Sequence, residues 1–151
     1  MPTSVLERYR AEFPDDNVDA SILSEEFMKS RLYFAVWYDA KSEDEQELID
    51  EISDRTSFII DEDEYDDFIY ELGECGIETA QQFEYAFEGE WEGTGKEIYA
   101  DFSQWLIESC WDVVPSIIQG CIDYELVWYS TLRFDYTAIE FKGNTYFFAS
   151  I

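Results

Sequence analysis

Between Asp39 and Glu71 the chain places 15 of its 36 acidic residues against only two bases, Lys41 and Arg55. The middle of this stretch, Ser42 to Asp54, reads as a helix. Ser42 and Glu45 form an S-x-x-E capping box, and Leu48, Ile49 and Ile52 supply one apolar face. On the other side Glu43, Glu47, Asp50 and Asp54 fall at i, i+4, i+7 and i+11, one carboxylate per turn at a spacing of about 5.4 Å. Like charges at i, i+4 destabilise a helix by roughly 0.2–0.5 kcal/mol per pair, so something other than stability favours this line. Phosphates along a DNA strand are also regularly spaced anions, and a rigid carboxylate row can occupy a protein site built for them.

A net charge of −27 would ordinarily indicate disorder, but 46% hydrophobic and 19% aromatic residues give this chain ample apolar surface to bury. A folded protein with an extreme surface is expected. Nine Lys and Arg scattered among the acids cannot build a basic patch, which argues against direct binding to nucleic acid and against an anionic membrane surface. The natural partner is strongly basic, such as the DNA-binding groove of another protein. Halophilic adaptation is a competing source of acidity, which the abundance of Phe, Tyr and Trp argues against. The start of the chain does not read as a signal peptide, and no run approaches the ~18 apolar residues of a membrane span. Cys75, Cys110 and Cys121 are odd in number and lack metal-ligand spacing, and are read as reduced, half-buried residues of a cytoplasmic protein.

In chain order, Thr3 to Phe13 and Ser21 to Lys29 are expected as short amphipathic helices, with Val5, Leu6 and Tyr9, then Ile22, Leu23 and Phe27, facing inward. Residues 1–30 form an arm holding three of the nine bases, Arg8, Arg10 and Lys29, with a fourth, Arg31, just beyond. Residues 31–78 are read as an acidic α/β subdomain, in which Arg31 to Tyr38 and Thr56 to Ile60 have the composition of paired strands. The six acids in seven residues from Asp61 to Asp67 fail as a calcium loop. Counted from Asp61, position 5 is Tyr65, position 6 Asp66 and position 12 Leu72. They are better placed at the positive N-terminal end of a helix from Tyr65 to Leu72.

Residues 79–151 are read as helices followed by a hairpin. Thr79 with Gln82 caps a helix through Phe87, a break follows from Gly89 to Gly93, and Thr94 with Glu97 caps a helix to about Ser109. There Ile98, Phe102, Trp105 and Leu106 face the core, while Glu97, Asp101 and Glu108 face outward. Pro115 opens a last, central helix to about Trp128. Strands Leu132 to Phe141 and Thr145 to Ala149 are joined at Lys142-Gly143-Asn144. The fold class is α+β, with small antiparallel sheet elements and several acidic helices. With no histidine, no Gly-rich phosphate loop and no nucleophile elbow, enzymatic chemistry, a metal and a cofactor are not expected.

Phe83-x-x-Ala86-Phe87-x-Gly89-Glu90-Trp91 is similar to the aromatic-x-Gly-Glu-aromatic segment of the ArdA anti-restriction proteins, DNA mimics carried by phages and other mobile elements. Val114-Pro115, Ile122-Asp123-Tyr124-Glu125 and the closing hairpin, Phe134-Asp135-Tyr136 through Gly143 to Tyr146-Phe147-Phe148, continue the resemblance. Trp37-Tyr38-Asp39-Ala40 resembles the family's Trp-Ile-Asp-Ala. Trp128-Tyr129-Ser130-Thr131-Leu132 departs from the family's usual Ala-Arg-Asp-Leu run. The resemblance implies an elongated, curved homodimer whose acidic face imitates bent B-form DNA and fills the DNA groove of a type I restriction-modification enzyme in the bacterial host. Trp91, Trp111 and Trp128 are read first as core residues and second as candidates for a dimer contact. Expected phosphate-mimicking residues are Glu43, Glu47, Asp50, Asp54, Asp61, Asp63 and Asp66, then Glu88, Glu90, Glu92, Glu97, Asp101 and Glu108. Three alternatives stay open: an inhibitor of a CRISPR effector or other nuclease, an immunity protein, and an acidic chaperone or adaptor for basic proteins.

Overall fold

A computed structural model describes residues 5–14, 25–110 and 115–150, without the side chains of Val5, Leu6 and Cys110. The α+β class is as expected. The elements are α1 (Val5–Glu12), α2 (Glu25–Asp39), α3 (Glu43–Arg55), α4 (Glu62–Glu74), α5 (Ala80–Ala86), β1 (Phe87–Glu92), α6 (Lys96–Cys110), α7 (Ser116–Gln119), α8 (Tyr124–Ser130), a 3-10 turn Leu132–Phe134, β2 (Tyr136–Phe141) and β3 (Asn144–Ala149). The chain forms two compact units, Met1–Gln46 and Glu47–Ile151. The division falls early in α3, and α2 runs unbroken through residue 30, where an arm was expected to end.

In the first unit α1 packs on α2 through Tyr9, Met28 and Leu32, with Phe13 alongside. Arg31 lies over the Phe13 ring at 4.0 Å and donates from Nη1 to the Tyr9 hydroxyl at 2.6 Å. Phe27, expected inward, is exposed; Ile22 and Leu23 lie outside the described residues. The strand expected over Arg31 to Tyr38 is helix. Its aromatic density serves neighbours on a helical face instead: Phe34 meets Trp37 at 5.1 Å and Tyr38 at 6.4 Å, the i+3 and i+4 positions.

The second unit is built on a three-stranded antiparallel sheet of order β1-β3-β2. Successive residues of a strand point to opposite faces, and in the central strand Thr145, Tyr146, Phe147 and Phe148 are all buried, so both faces are covered. On one face Phe147 stacks on Phe102 of α6 at 4.0 Å, and Leu106, Trp128 and Leu132 close the cluster. On the other, Tyr146 meets Phe68 of α4 at 4.8 Å, and Phe148 meets Phe83 of α5 at 5.7 Å. β2 and β3 join through Lys142 and Gly143, both at positive φ (48° and 84°), the two-residue turn whose twist suits a hairpin.

Four further expectations are corrected. The Gly89 to Gly93 region is not a break: Gly89 to Glu92 pair with β3 as strand β1. Thr56 to Ile60 belongs to no strand, although Ile59 points in while Phe58 and Ile60 point out. Pro115 to Trp128 is two short helices, and Ile117 and Ile118 are exposed rather than central, because the chain turns at Gly120 and restarts where Asp123 accepts from the Leu126 N–H at 3.1 Å. Cys75 and Cys121 are exposed, not half-buried. Trp128 is core and Trp91 packs against it; Trp111 lies outside the described residues.

At Gly89 an added Cβ would stand 2.7 Å from the Trp91 ring, which itself packs edge-on to Phe102 and Phe147. Gly89→Ala is therefore expected to lower stability by about 1–3 kcal/mol through overpacking, measured by urea unfolding.

Candidate functional site

The acids expected to carry function divide by what surrounds them. On α3 Ser42 caps the helix, its Oγ accepting from the Glu45 N–H at 3.2 Å and donating to Glu45 Oε1 at 3.1 Å, without the reciprocal backbone bond of a full capping box. Leu48, Ile49 and Ile52 are buried, which leaves Glu43, Glu47, Asp50 and Asp54 exposed along the opposite face. Glu43 lies in the first turn; Glu47, Asp50 and Asp54 belong to the second unit. α4 begins at Glu62, earlier than expected, because Asp61 is its cap residue and its carbonyl accepts from the Tyr65 N–H. Asp61, Asp63 and Asp66 are exposed there.

Asp67, Glu71 and Glu74 extend this surface and were not singled out from sequence. The signal was present: Asp63, Asp67, Tyr70 and Glu74 repeat the i, i+4, i+7, i+11 spacing of α3, and all four are exposed. On α6 the same spacing gives Glu97, Asp101, Gln104 and Glu108, again all exposed, with Gln104 donating to Glu108 at 3.0 Å. Thr94 does not cap this helix, whose first turn closes on the Gly95 carbonyl. Instead Glu140 of β2 accepts from the Gly95 N–H at 3.3 Å and from the Tyr99 hydroxyl at 2.6 Å, placing a negative charge at the helix N-terminus. Burial, and then this carboxylate, push the Tyr99 hydroxyl well above its ordinary pKa.

Within the second unit α3 and α4 lie on one side of the sheet and α6 on the other, so the rows are brought to two opposite sides, not onto one face. The ion pairs observed at Glu45, Glu51 and Glu125, with Lys41, Arg55 and Lys96 respectively, all use acids outside the rows.

Glu88 and Glu90 stand apart from the other eleven expected residues in being half-buried. Burial raises the Glu88 carboxyl above its ordinary value, and Arg55 partly opposes this. Glu90 sits opposite Tyr146 in the ladder and accepts from the backbone N–H groups of Ser57 (2.9 Å) and Phe58 (3.3 Å). It thus satisfies donors that a strand partner would otherwise have taken, which is why Thr56 to Ile60 is fixed yet unpaired. The Tyr146 hydroxyl, raised by burial and then by Glu90, completes the junction. Glu92 is exposed at the end of β1.

Among the described residues no group of three or more Cys, Asp or Glu is arranged to hold a metal ion, and no helix is long and apolar enough to cross a membrane. No protein-family model, curated protein or solved structure matches the chain.

Two variants separate the kinds of acid. Glu90→Ala strands two backbone donors and is expected to cost about 1.5–3 kcal/mol, whereas Asp101→Asn should stay within about 0.5 kcal/mol, both by denaturant titration. A carboxyl whose folded pKa is raised favours the folded state in acid and loses that contribution as pH rises from the ordinary carboxylate range through the raised value. Glu88→Gln should therefore raise the melting temperature at pH 7, and the gain should vanish below about pH 4.

Proposed function

We propose that the protein is a non-enzymatic DNA mimic whose carboxylate rows occupy the basic DNA-binding groove of a host defence complex, a type I restriction-modification enzyme first among them. The observation that carries this reading is the repeated exposed row. α3 carries acids at all four positions of the i, i+4, i+7, i+11 spacing, and α6 and α4 carry acids at three of the four, with Gln104 and Tyr70 at the other. Packed layers are separated by about 10 Å, which places the outer helices roughly 20 Å apart. That is the scale of a duplex rather than of a single strand. The ArdA resemblance supports the same target, and with it a cytoplasmic site of action in the bacterial host and assembly as a homodimer.

The mechanism is competitive occupancy. Carboxylates meet the Lys and Arg that otherwise hold phosphates, and the ions they displace make affinity fall steeply with salt. No nucleic acid, membrane, metal or cofactor takes part.

The test is displacement of labelled duplex DNA from a type I methyltransferase complex at several salt concentrations. Stoichiometric displacement that weakens with salt is expected; none at low salt would remove type I enzymes and turn attention to CRISPR effectors and other nucleases. Any single change among Glu43, Glu47, Asp50 and Asp54 to its amide should leave inhibition nearly intact, while the fourfold variant should abolish it. Because like-charge repulsion along α3 is removed, the fourfold variant should melt no lower than the parent. Full inhibition by it would sink the proposal.

A further inference from the structure

The loop between α3 and α4 places two exposed apolar side chains between acidic helices. Phe58 is 40% exposed and Ile60 66% exposed, while Ile59 between them is 4% exposed and anchors the loop in the core. Exposed apolar side chains on a mobile loop would carry little meaning, but this loop is tied at several points. Thr56 donates to the Ile52 carbonyl from both N (2.9 Å) and Oγ1 (2.7 Å), closing α3. Glu90 takes the Ser57 and Phe58 N–H groups, and the Asp61 carbonyl begins α4. The backbone under Phe58 and Ile60 is thus set from both helices and from the sheet. Asp54, Asp61 and Asp63, all exposed, flank the pair.

We propose that Phe58 and Ile60 form an apolar anchor, held out by Glu90, that enters a recess between basic side chains of the same partner the carboxylate rows engage. This rests on the DNA-mimic reading and goes beyond it, since phosphates have no counterpart to such a contact. Charge complementarity of the flanking aspartates selects a basic protein surface as the occupant. Carboxylate contacts set how steeply affinity falls with salt, because each neutralised site adds to the slope. An apolar anchor displaces no ions and adds affinity that salt leaves in place, and a buried aromatic or aliphatic anchor commonly carries a large share of binding energy. The two contributions are therefore separable. The rows govern the slope, and the anchor governs the affinity remaining at high salt. Glu90 is a positioning residue for the anchor and does not itself meet the partner.

The experiment is the displacement assay on the type I methyltransferase complex, run from low to high KCl with the full chain and with Phe58→Ala, Ile60→Ala and the double variant. Ile60→Ala removes a mostly exposed side chain and should leave the melting temperature unchanged, so it guards against a folding artefact at Phe58. The double variant is expected to bind roughly tenfold or more weakly at every salt concentration, a loss of about 1.4 kcal/mol or more, with the slope of log affinity against log salt unchanged. Equal affinities for parent and double variant would overturn the anchor while leaving the mimic reading standing. A change in slope without loss at high salt would also overturn it. A parent chain that displaces no DNA at any salt would overturn both, and the three results are distinguishable from one another.

Discussion

The rest of the second unit depends on the burial of one strand on both sides. β3 sends Tyr146 and Phe148 toward α4 and α5 and Phe147 toward α6 and α8, and the four consecutive residues from Thr145 are buried. Full burial of such a side chain is worth about 1.5–3 kcal/mol, whereas one like-charge pair along a helix costs roughly 0.2–0.5 kcal/mol. A single buried ring therefore offsets several repelling pairs. The aromatic core is what makes so acidic a surface compatible with a folded state.

The acids themselves fall into two populations with different physics. Glu90, Glu140 and Asp123 accept backbone N–H groups, and in doing so fix a loop, the start of α6 and the start of α8. These groups replace backbone pairing that the fold does not provide, so they belong to the architecture. Those of α3, α4 and α6 stand on the outer sides of helices whose inner sides are locked in the core. Their positions follow from helix geometry and are as rigid as the helices that carry them. A chain can hold charge in a fixed pattern only if the pattern is tied to packed elements, and here the tie is the apolar stripe on the opposite face of each helix.

Legibility from sequence followed this distinction closely. Where a local rule decides the outcome, as at the Ser42 cap, the Thr79 capping box, the apolar stripe of α3 or the Lys142-Gly143 turn, the elements were readable. Where two rules compete, they were not. Arg31 to Tyr38 has strand composition but helical neighbours, and the contact of Phe34 with both Trp37 and Tyr38 exists only in a helix. Thr56 to Ile60 alternates like a strand, yet its donors are taken by a side chain thirty-odd residues away, which no local window contains. Gly89 looked like a breaker; it is a position where Trp91 leaves no room for a Cβ. In the candidate site the α3 and α6 rows were legible as helical periodicity. The half-buried state of Glu88 and Glu90 was not, because β1 was read as a break, and a strand residue's face is defined only by its partner.

Salt acts in opposite senses on the repulsion within a row and on the attraction of that row to a basic partner, and that bears on any measurement of binding. Neighbours within a row are about 5.4 Å apart, well inside the screening length of about 8 Å at physiological ionic strength, so they repel one another under working conditions. Added salt relaxes this repulsion and favours the folded chain. The same salt would weaken attraction to the basic partner proposed above, since each released ion gains less in an already concentrated solution. A loss of binding at high salt therefore cannot be ascribed to unfolding, because the fold is under less electrostatic strain there than in dilute buffer. The repulsion and the attraction come from the same carboxylates, held by the same helix faces, and salt changes only which of the two is felt.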